Sequence, residues 1–190
     1  MRPRVRILVV MIGFLVMADP RAETVPPPEY PAEGTVQVAF PPWDDAEALV
    51  VAAVGGARQE IFVQAFSFTS KAVARALIAA RRRGVDVQVT ADREQTFGGE
   101  STRIPDLASA GIPIWLEVRY TAAHSKVMII DPGTREPVLI TGSYNWTWSA
   151  QHGNAENLLI VRRNRELTRA YLRNWERRRR DALRYGEGPR

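Results

Sequence analysis

The chain has 190 residues, of which 45% are hydrophobic and 25% charged, and it has no cysteine. That length suits one compact domain, the composition excludes wholesale disorder, and the absence of cysteine excludes a disulfide-stabilised scaffold. The formal net charge of +5 is unevenly distributed, because residues 162–190 carry +7 whereas residues 23–161 sum to −5. Attraction to a polyanion is therefore concentrated in the C-terminal segment.

The N-terminus has the order of features found in secretory signal peptides. Arginines precede an apolar stretch, and small residues follow it: Arg2, Arg4 and Arg6, then 7–17, then Ala18 and Ala22. We therefore expect residues 1–22 to be a signal peptide, cleaved after Ala18 or Ala22, and the protein to be periplasmic or secreted. The alternative is an uncleaved anchor, but the stretch is short for a bilayer span. No stable membrane insertion is expected after cleavage.

The first part of the mature chain is predicted to begin with an extended segment. Residues 23–34 are rich in proline, which fixes the backbone and removes hydrogen-bond donors, so they form a lead-in. The folded domain is predicted over 35–185, with a short tail at 186–190. It opens with a strand at 36–40 and a helix, capped by Asp44 or Asp45, that runs to about residue 58.

The next segment predicts a β–α–β unit. An apolar run at 61–68 is followed by a helix from the N-cap Ser70 through Arg83, and then by a strand at 85–89. Further elements are predicted in chain order: a helix at 105–110, strands at 112–118, 127–130, 138–141 and 158–161, and a helix with the apolar stripe Leu167, Tyr171 and Trp175. The pattern predicts an α/β fold with a mixed, mostly parallel sheet flanked by helices on both faces.

Two residues entering the strand at 127–130 carry the candidate chemistry. His124 and Lys126 are two apart, so on a strand their side chains lie on one face. A neutral imidazole can act as a nucleophile or a proton carrier, and an ammonium group beside it can hold phosphate oxygens. A single H-x-K pattern is common by chance, so its significance depends on the residues that accompany it.

Those accompanying residues follow in order. Asp131 lies where the strand ends and is a candidate to orient the imidazole. Ser143 and Asn145 supply a hydroxyl and an amide for phosphoryl oxygens, and Gly142 allows close approach of the backbone. Trp146 and Trp148 are candidates for stacking on bases, with core packing as the alternative for one of them.

The segment His124–Asp131, with Gly142-Ser143-Tyr144-Asn145 after it, resembles the HKD signature of the phospholipase D superfamily. It is most similar to the small bacterial endonucleases that carry one HKD motif per chain. The resemblance extends to three further segments: 64–70, 83–87 and 154–157. One difference is the spacing between Asp131 and Gly142, which is ten residues here and usually six in the family.

The resemblance implies the phospholipase D-like fold and a two-step phosphodiester cleavage through a phosphohistidine, with no metal and no cofactor. It also implies that Glu156 supports the catalytic histidine. The reaction needs two imidazoles, and His152, the other histidine of the chain, lies outside the motif in a polar stretch that predicts a surface loop. We therefore expect a homodimer whose composite active site contains His124 from both copies.

Three functions are compatible with these residues. The favoured one is an exported, non-specific endonuclease acting on DNA, with RNA as the alternative substrate, because the C-terminal helix is rich in arginine. A phospholipase D-type lipid phosphodiesterase is the alternative enzyme. A binding protein with a vestigial site is a third reading, and the intact His124, Lys126, Ser143 and Asn145 argue against it.

Overall fold

A computed structural model describes residues 26–99 and 101–187. The predicted signal peptide at 1–22 lies outside the described residues. Eight strands are present in the described part: β1 Thr35–Ala39, β2 Glu60–Ala65, β3 Asp86–Asp92, β4 Ile114–Glu117, β5 Val127–Ile130, β6 Val138–Gly142, β7 Leu158–Arg162 and β8 Leu183–Arg184. Six helices accompany them: α1 Ala46–Gly55, α2 Lys71–Arg82, α3 Arg93–Gly98, α4 Ile104–Ser109, α5 Trp148–His152 and α6 Arg165–Arg180.

All eight strands form one sheet in the order β1-β7-β6-β5-β2-β3-β4-β8. The α/β class and the mixed sheet are confirmed, but the sheet is mostly antiparallel rather than mostly parallel. Its parallel pairs are β2 with β3 and β3 with β4, where helices connect the strands. The strands from β5 to β7 instead follow one another as antiparallel neighbours, and β5 pairs antiparallel with β2.

Helices cover both faces of the sheet, as predicted. One face packs against α1, α2 and α4 through buried apolar side chains such as Val50, Leu77 and Leu107. The other face packs against α6, where Trp175 lies against Phe62 with ring centroids 4.9 Å apart. The predicted stripe of α6 is confirmed, because Leu167 and Tyr171 pack against the same cluster. Burial of these two apolar layers is the main stabilisation of the domain.

Local signals account for the helix starts. The Ser70 hydroxyl accepts the amide of Val73 at 3.0 Å, and the Asp45 carboxylate accepts the amide of Ala48 at 2.9 Å. Helix α1 ends at Gly55, about three residues before the predicted end. The short elements α3, α5 and β8 were not predicted, since five- or six-residue helices and a two-residue strand have little periodicity. The equally short helix α4 was predicted at 105–110 and is found at Ile104–Ser109.

Four strand ends converge at one edge of the sheet. The register places Gln64 near the end of β2 opposite Val127 at the start of β5. Val127 lies opposite Thr141 of β6, and Gly142 at the end of β6 lies opposite Leu158 of β7. The polar segments that leave or enter these strands therefore meet at this edge.

Among the described residues, no helix has the length and apolar character needed to cross a membrane.

Candidate active site

His124 and Lys126 are brought together at this edge. They lie just before β5, and the Lys126 ammonium is 2.9 Å from Nδ1 of His124. The same ammonium donates to the His124 carbonyl at 2.8 Å, which holds the Lys126 side chain against the backbone at His124. An ammonium group has donors and no acceptor, so in this contact Lys126 donates and Nδ1 of His124 accepts. The predicted pairing of the two side chains is confirmed.

Phe66 packs against both side chains of this pair. Its ring lies 4.4 Å from the His124 ring and 4.8 Å from the Lys126 ammonium, centroid distances that permit aromatic and cation–π contact. Lys126 is 4% exposed. Burial lowers the pKa of Lys126, and the nearby negative charge of Glu156 partly opposes that shift. The site thus holds a buried cation beside an imidazole, an arrangement suited to an anionic substrate.

Ser143 and Glu156 form the second half of the site, on the segments after β6 and before β7. The Ser143 hydroxyl donates to the Glu156 carboxylate at 2.5 Å and accepts the amide of Asn157 at 3.0 Å. The other oxygen of Glu156 accepts from the Asn154 amide at 2.9 Å. The expected support of His124 by Glu156 is not a hydrogen bond, because the carboxylate is bonded to Ser143 and Asn154. Its connection to the pair is its charge acting on Lys126.

Gly142 and Asn145 flank Ser143. A Cβ at Gly142 would overlap the carbonyl oxygen of Asn157, and its φ of +151° also favours glycine, so the close backbone approach is confirmed. Asn145 is half-buried, and its Oδ1 is buried without a hydrogen-bond partner. Buried polar atoms are usually paired, so this oxygen is an acceptor open to a donor on a bound group, whereas phosphoryl oxygens could be held only by the N–H groups of the amide.

Asp131 lies away from the other site residues, at the opposite end of β5. A four-residue strand separates its ends by roughly 10–13 Å. The Asp131 carboxylate accepts the backbone amides of three consecutive residues that lead into β2, at 2.9, 2.7 and 2.9 Å: Arg58, Gln59 and Glu60. The prediction that Asp131 orients the imidazole is therefore wrong. Asp131 instead joins the end of β5 to the start of β2 through these hydrogen bonds.

The longer loop is absorbed at this same end. Asp131 has a φ of 50°, and its carbonyl accepts the amide of Thr134 at 3.0 Å and the Thr134 hydroxyl at 2.9 Å. The turn therefore closes on Asp131, and the additional residues lie at the end of the hairpin remote from His124.

Two polar contacts hold the segment that carries His124, and the sequence did not indicate them. On one side, the Asp92 carboxylate accepts the amide of Ala123 at 2.8 Å. On the other, Nη1 of Arg178 donates to the Ser125 hydroxyl at 2.6 Å, while Nε donates to Glu117 at 2.5 Å. The residues flanking His124 are thus fixed from both sides. A motif search could not find these partners, since they lie on β3, β4 and α6.

Glu117 is buried at 4% exposure. Desolvation raises its pKa even though the Arg178 ion pair and hydrogen bond lower it, and Asp92 adds a smaller upward effect. The pKa of Glu117 is raised overall because the loss of hydration destabilises the buried carboxylate more than the interaction with Arg178 stabilises it.

The two tryptophans after Asn145 have different environments. Trp146 is fully buried and donates from Nε1 to the Gln64 carbonyl at 3.1 Å, so it is the core residue of the two. Trp148 is 65% exposed and contacts the His152 ring at 4.6 Å. His152 is exposed, as predicted, but it is the last residue of α5 rather than part of a loop.

No group of three or more His, Cys, Asp or Glu side chains among residues 26–99 and 101–187 is arranged to hold a metal ion. The chemistry that this arrangement can perform rests on the imidazole of His124, the cation of Lys126 and the polar groups of Ser143 and Asn145. A phosphate group, with oxygens for the cation and a phosphorus atom for the imidazole, fits this set.

Comparison with known proteins agrees with this chemistry. Residues 50–179 match the family model described as the cardiolipin synthase, PLD-like domain. The phospholipase D of Rickettsia prowazekii is 32% identical over 144 residues, covering 76% of this chain and 67% of the relative. The mitochondrial cardiolipin hydrolase of Xenopus laevis is 33% identical over 138 residues, covering 73% of this chain and 63% of the relative.

Two solved structures are also similar. The crystal structure of Nuc from Salmonella typhimurium, a phospholipase D family member, has a TM-score of 0.74 and 32% identity, covering 80% of this chain and 99% of Nuc. NucT from Helicobacter pylori has a TM-score of 0.72 at 22% identity, covering 80% of this chain and all of NucT, a likeness of fold. Together with the His124–Lys126 site, these matches place the chain in the phospholipase D superfamily, as a phosphodiesterase.

Proposed function

We propose that this protein is a non-specific endonuclease that hydrolyses nucleic-acid phosphodiester bonds through a phosphohistidine, without a metal, in a homodimer. The observation that carries the proposal is the His124 imidazole, paired at 2.9 Å with the Lys126 ammonium, beside the arginine-rich helix α6. The sequence resemblance to small bacterial endonucleases and the similarity to Nuc support the same choice.

The reaction proceeds in two steps. Nε2 of one His124 attacks phosphorus, the bond from phosphorus to the leaving oxygen breaks, and a second histidine, present as the imidazolium, gives a proton to that oxygen and becomes neutral. Water then attacks the phosphohistidine, the phosphorus–nitrogen bond breaks, and the proton of the water passes to the second imidazole. The Lys126 ammonium and the side-chain N–H groups of Asn145 hold the phosphoryl oxygens, and the Ser143 hydroxyl joins them when its proton turns from Glu156 to the substrate.

The second imidazole comes from a second copy of the chain. His152 does not serve, since it is exposed on α5 and packed against Trp148. A two-fold axis that brings the two His124 residues to one phosphate gives the reaction its nucleophile and its proton donor. The proton donor is an imidazolium, which becomes a neutral imidazole when its proton leaves, and the nucleophile is a neutral imidazole whose Nε2 is unprotonated. Both roles place a proton on Nδ1, so the Lys126 ammonium turns from Nδ1 to the phosphoryl oxygens when substrate binds. Light scattering that finds a fully active monomer would contradict this assembly.

The substrate test compares three polymers or surfaces in EDTA. The purified protein is incubated with plasmid DNA, with RNA and with phospholipid vesicles, beside the His124→Ala variant. We expect cleavage of nucleic acid that survives chelation and is lost in the variant. Loss of cleavage on chelation with recovery on adding Mg²⁺ would overturn the metal-independent route, and an active His124→Ala variant would overturn the catalytic assignment.

A lipid phosphodiesterase is the second candidate. Exposed aromatic side chains lie on the segments next to Glu156 and on α5: Phe40, Trp43 and Trp148. Aromatic side chains of this kind favour a membrane–water interface. The names of the relatives from Rickettsia and Xenopus point the same way. Hydrolysis of the vesicles with no cleavage of either nucleic acid selects this candidate.

We also propose export to the periplasm or the medium through residues 1–22. Mass spectrometry of the protein recovered from outside the cytoplasm should show an N-terminus at residue 19 or 23. Recovery of the uncleaved chain from the cytoplasm alone would contradict export.

A further inference from the structure

A cavity of about 470 Å³ opens beside the His124–Lys126 pair, on the side of α6. Six residues line it: Tyr120, Ala122, His124, Ser125, Asn174 and Arg178. None of the residues assigned to the phosphoryl site other than His124 lies in this set. The cavity therefore adjoins the reacting atoms without being part of the group that holds them.

The walls of the cavity are held in place. The Arg178 guanidinium is fixed by Glu117 and Ser125, and it lies 5.0 Å from the centroid of the Tyr120 ring. Tyr120 is nevertheless 51% exposed, so much of its ring remains available to a ligand. Asn174, which also lines the cavity, accepts from Nη2 of Arg177 at 2.9 Å, so Arg177 lies beside the cavity without lining it. The cavity thus combines an accessible aromatic ring with cationic and amide groups.

The charge around the site has a direction. Exposed arginines follow the cavity along α6, including Arg173, Arg177 and Arg180. The other flank is acidic, because Asp44, Asp45 and Glu47 precede or begin α1, and the Pro41 carbonyl in the adjoining loop accepts the amide of Glu156. A polyanion that reaches the reacting centre is therefore favoured on the α6 side and opposed on the other.

We infer that this cavity binds the nucleotide next to the scissile phosphate, with its base on Tyr120 and its flanking phosphate at Asn174 and at Arg177 beside the cavity. This inference rests on the proposed nuclease function and gives it a substrate-binding subsite. A base offers a planar face for the tyrosine ring, and a phosphate offers acceptors for the guanidinium and the amide. The acyl chains of a lipid need an apolar wall, whereas Ala122 is the one aliphatic side chain lining this cavity.

The experiment compares two substrates that share the reacting group. A single-stranded oligonucleotide has neighbouring bases and phosphates, whereas methyl 4-nitrophenyl phosphate has one phosphodiester, no base and no second phosphate, and its one ring is on the leaving oxygen. We expect Tyr120→Ala to lower kcat/KM for the oligonucleotide about 5- to 100-fold more than for the small diester, since one stacked base is lost. Tyr120→Phe should keep most of the wild-type ratio, because it keeps the ring.

The flanking phosphate has its own variant. Arg177→Ala should lower kcat/KM for the oligonucleotide and reduce the slope of log binding constant against log salt by about 1, as one phosphate contact is removed. The controls are Tyr30→Ala in the lead-in and Arg75→Ala on α2, both away from the cavity, and they should leave both substrates unaffected.

The outcomes separate the subsite from the function. If the wild-type protein cleaves the oligonucleotide but Tyr120→Ala and Arg177→Ala alter both substrates equally, or neither, the subsite is overturned and the nuclease function stands. If the wild type cleaves the small diester and phospholipid vesicles but no oligonucleotide, the nuclease function is overturned and the subsite with it.

Discussion

The two ends of β5 carry residues of one sequence motif, but the residues at the start belong to the active site and the residue at the end stabilises the fold. At the start of the strand, Lys126 is 4% exposed and places its ammonium against His124. At its end, Asp131 is similarly buried, at 6%, and accepts three backbone amides that lead into β2. Burial is the same at both ends, but the partners are a reactive side chain at one end and the main chain at the other.

The difference has a physical consequence. Burying the Lys126 ammonium beside a neutral imidazole has a desolvation penalty that the imidazole does not fully offset. When substrate binds, the negative charge of the phosphate interacts with the ammonium and offsets that penalty. A buried carboxylate that accepts several amides is satisfied without any ligand, so it stabilises the fold directly. We therefore expect substitutions at the start of β5 to remove activity and leave stability, and substitutions at its end to do the reverse.

The largest effect is expected for Lys126→Met, which keeps the length of the side chain and removes its charge. Loss of the cation that stabilises the developing charge should lower kcat by about 10²–10³-fold. The midpoint of urea unfolding should stay the same or rise, since a buried charge has been removed. The matched control is Lys71→Met, which removes the chain's other lysine, exposed at the start of α2. A stable, fully active Lys126→Met protein would remove Lys126 from the site.

The next effect is expected at the opposite end, for Asp131→Asn. The amide keeps one acceptor oxygen but turns the other toward the backbone donors as an NH₂ group, so at least one bond is lost and a donor is left facing donors. The free energy of unfolding should fall by about 1–3 kcal/mol, while kcat remains near the wild-type value below the unfolding transition.

Urea unfolding and kinetics on the same samples decide this prediction, with Asp106→Asn as the control, since Asp106 is an exposed carboxylate on α4. The reverse result, lost activity with unchanged stability, would return Asp131 to the active site and show that the contacts at the start of β2 are unimportant.

This contrast also shows how far the sequence predicts the molecule. The strand at 127–130, the helix capped by Ser70 and the pairing of His124 with Lys126 all follow from local patterns, and all are confirmed. Alternation and capping are properties of a few neighbouring residues, so one sequence is enough to read them.

The position of Asp131, the strand directions and the contacts of Arg178 were not predicted, because they depend on which strands and helices become neighbours in the fold. The antiparallel pairing of β5 with β2 brings Asp131 to the amides of 58–60 and is one of the antiparallel pairs that outnumber the parallel ones. The same long-range placement brings Arg178 of α6 to Ser125 and Glu117. These partners are 53 to 73 residues apart in sequence, and no local pattern encodes such distances.

The smallest effect concerns the pH dependence of the site. Burial lowers the pKa of Lys126, so the activity that needs its ammonium should fall on the alkaline side at a lower pH than an exposed lysine would give. The charge of Glu156 acts in the opposite direction and raises that pKa. Glu156→Gln removes the charge but keeps an oxygen that can accept from the Ser143 hydroxyl. Its alkaline limb should therefore lie at lower pH than that of the wild type.

The measurement is the pH profile of kcat/KM for bis(4-nitrophenyl) phosphate on the alkaline side, for the wild type, Glu156→Gln and Glu136→Gln. Glu136 is an exposed acid in the loop at the far end of the β5–β6 hairpin, so its loss should leave the limb in place. A limb that moves to higher pH in Glu156→Gln would mean that the titrating group is not a cation near this carboxylate. Equal shifts in both variants would mean that overall charge, rather than the geometry at the start of β5, sets the pH dependence.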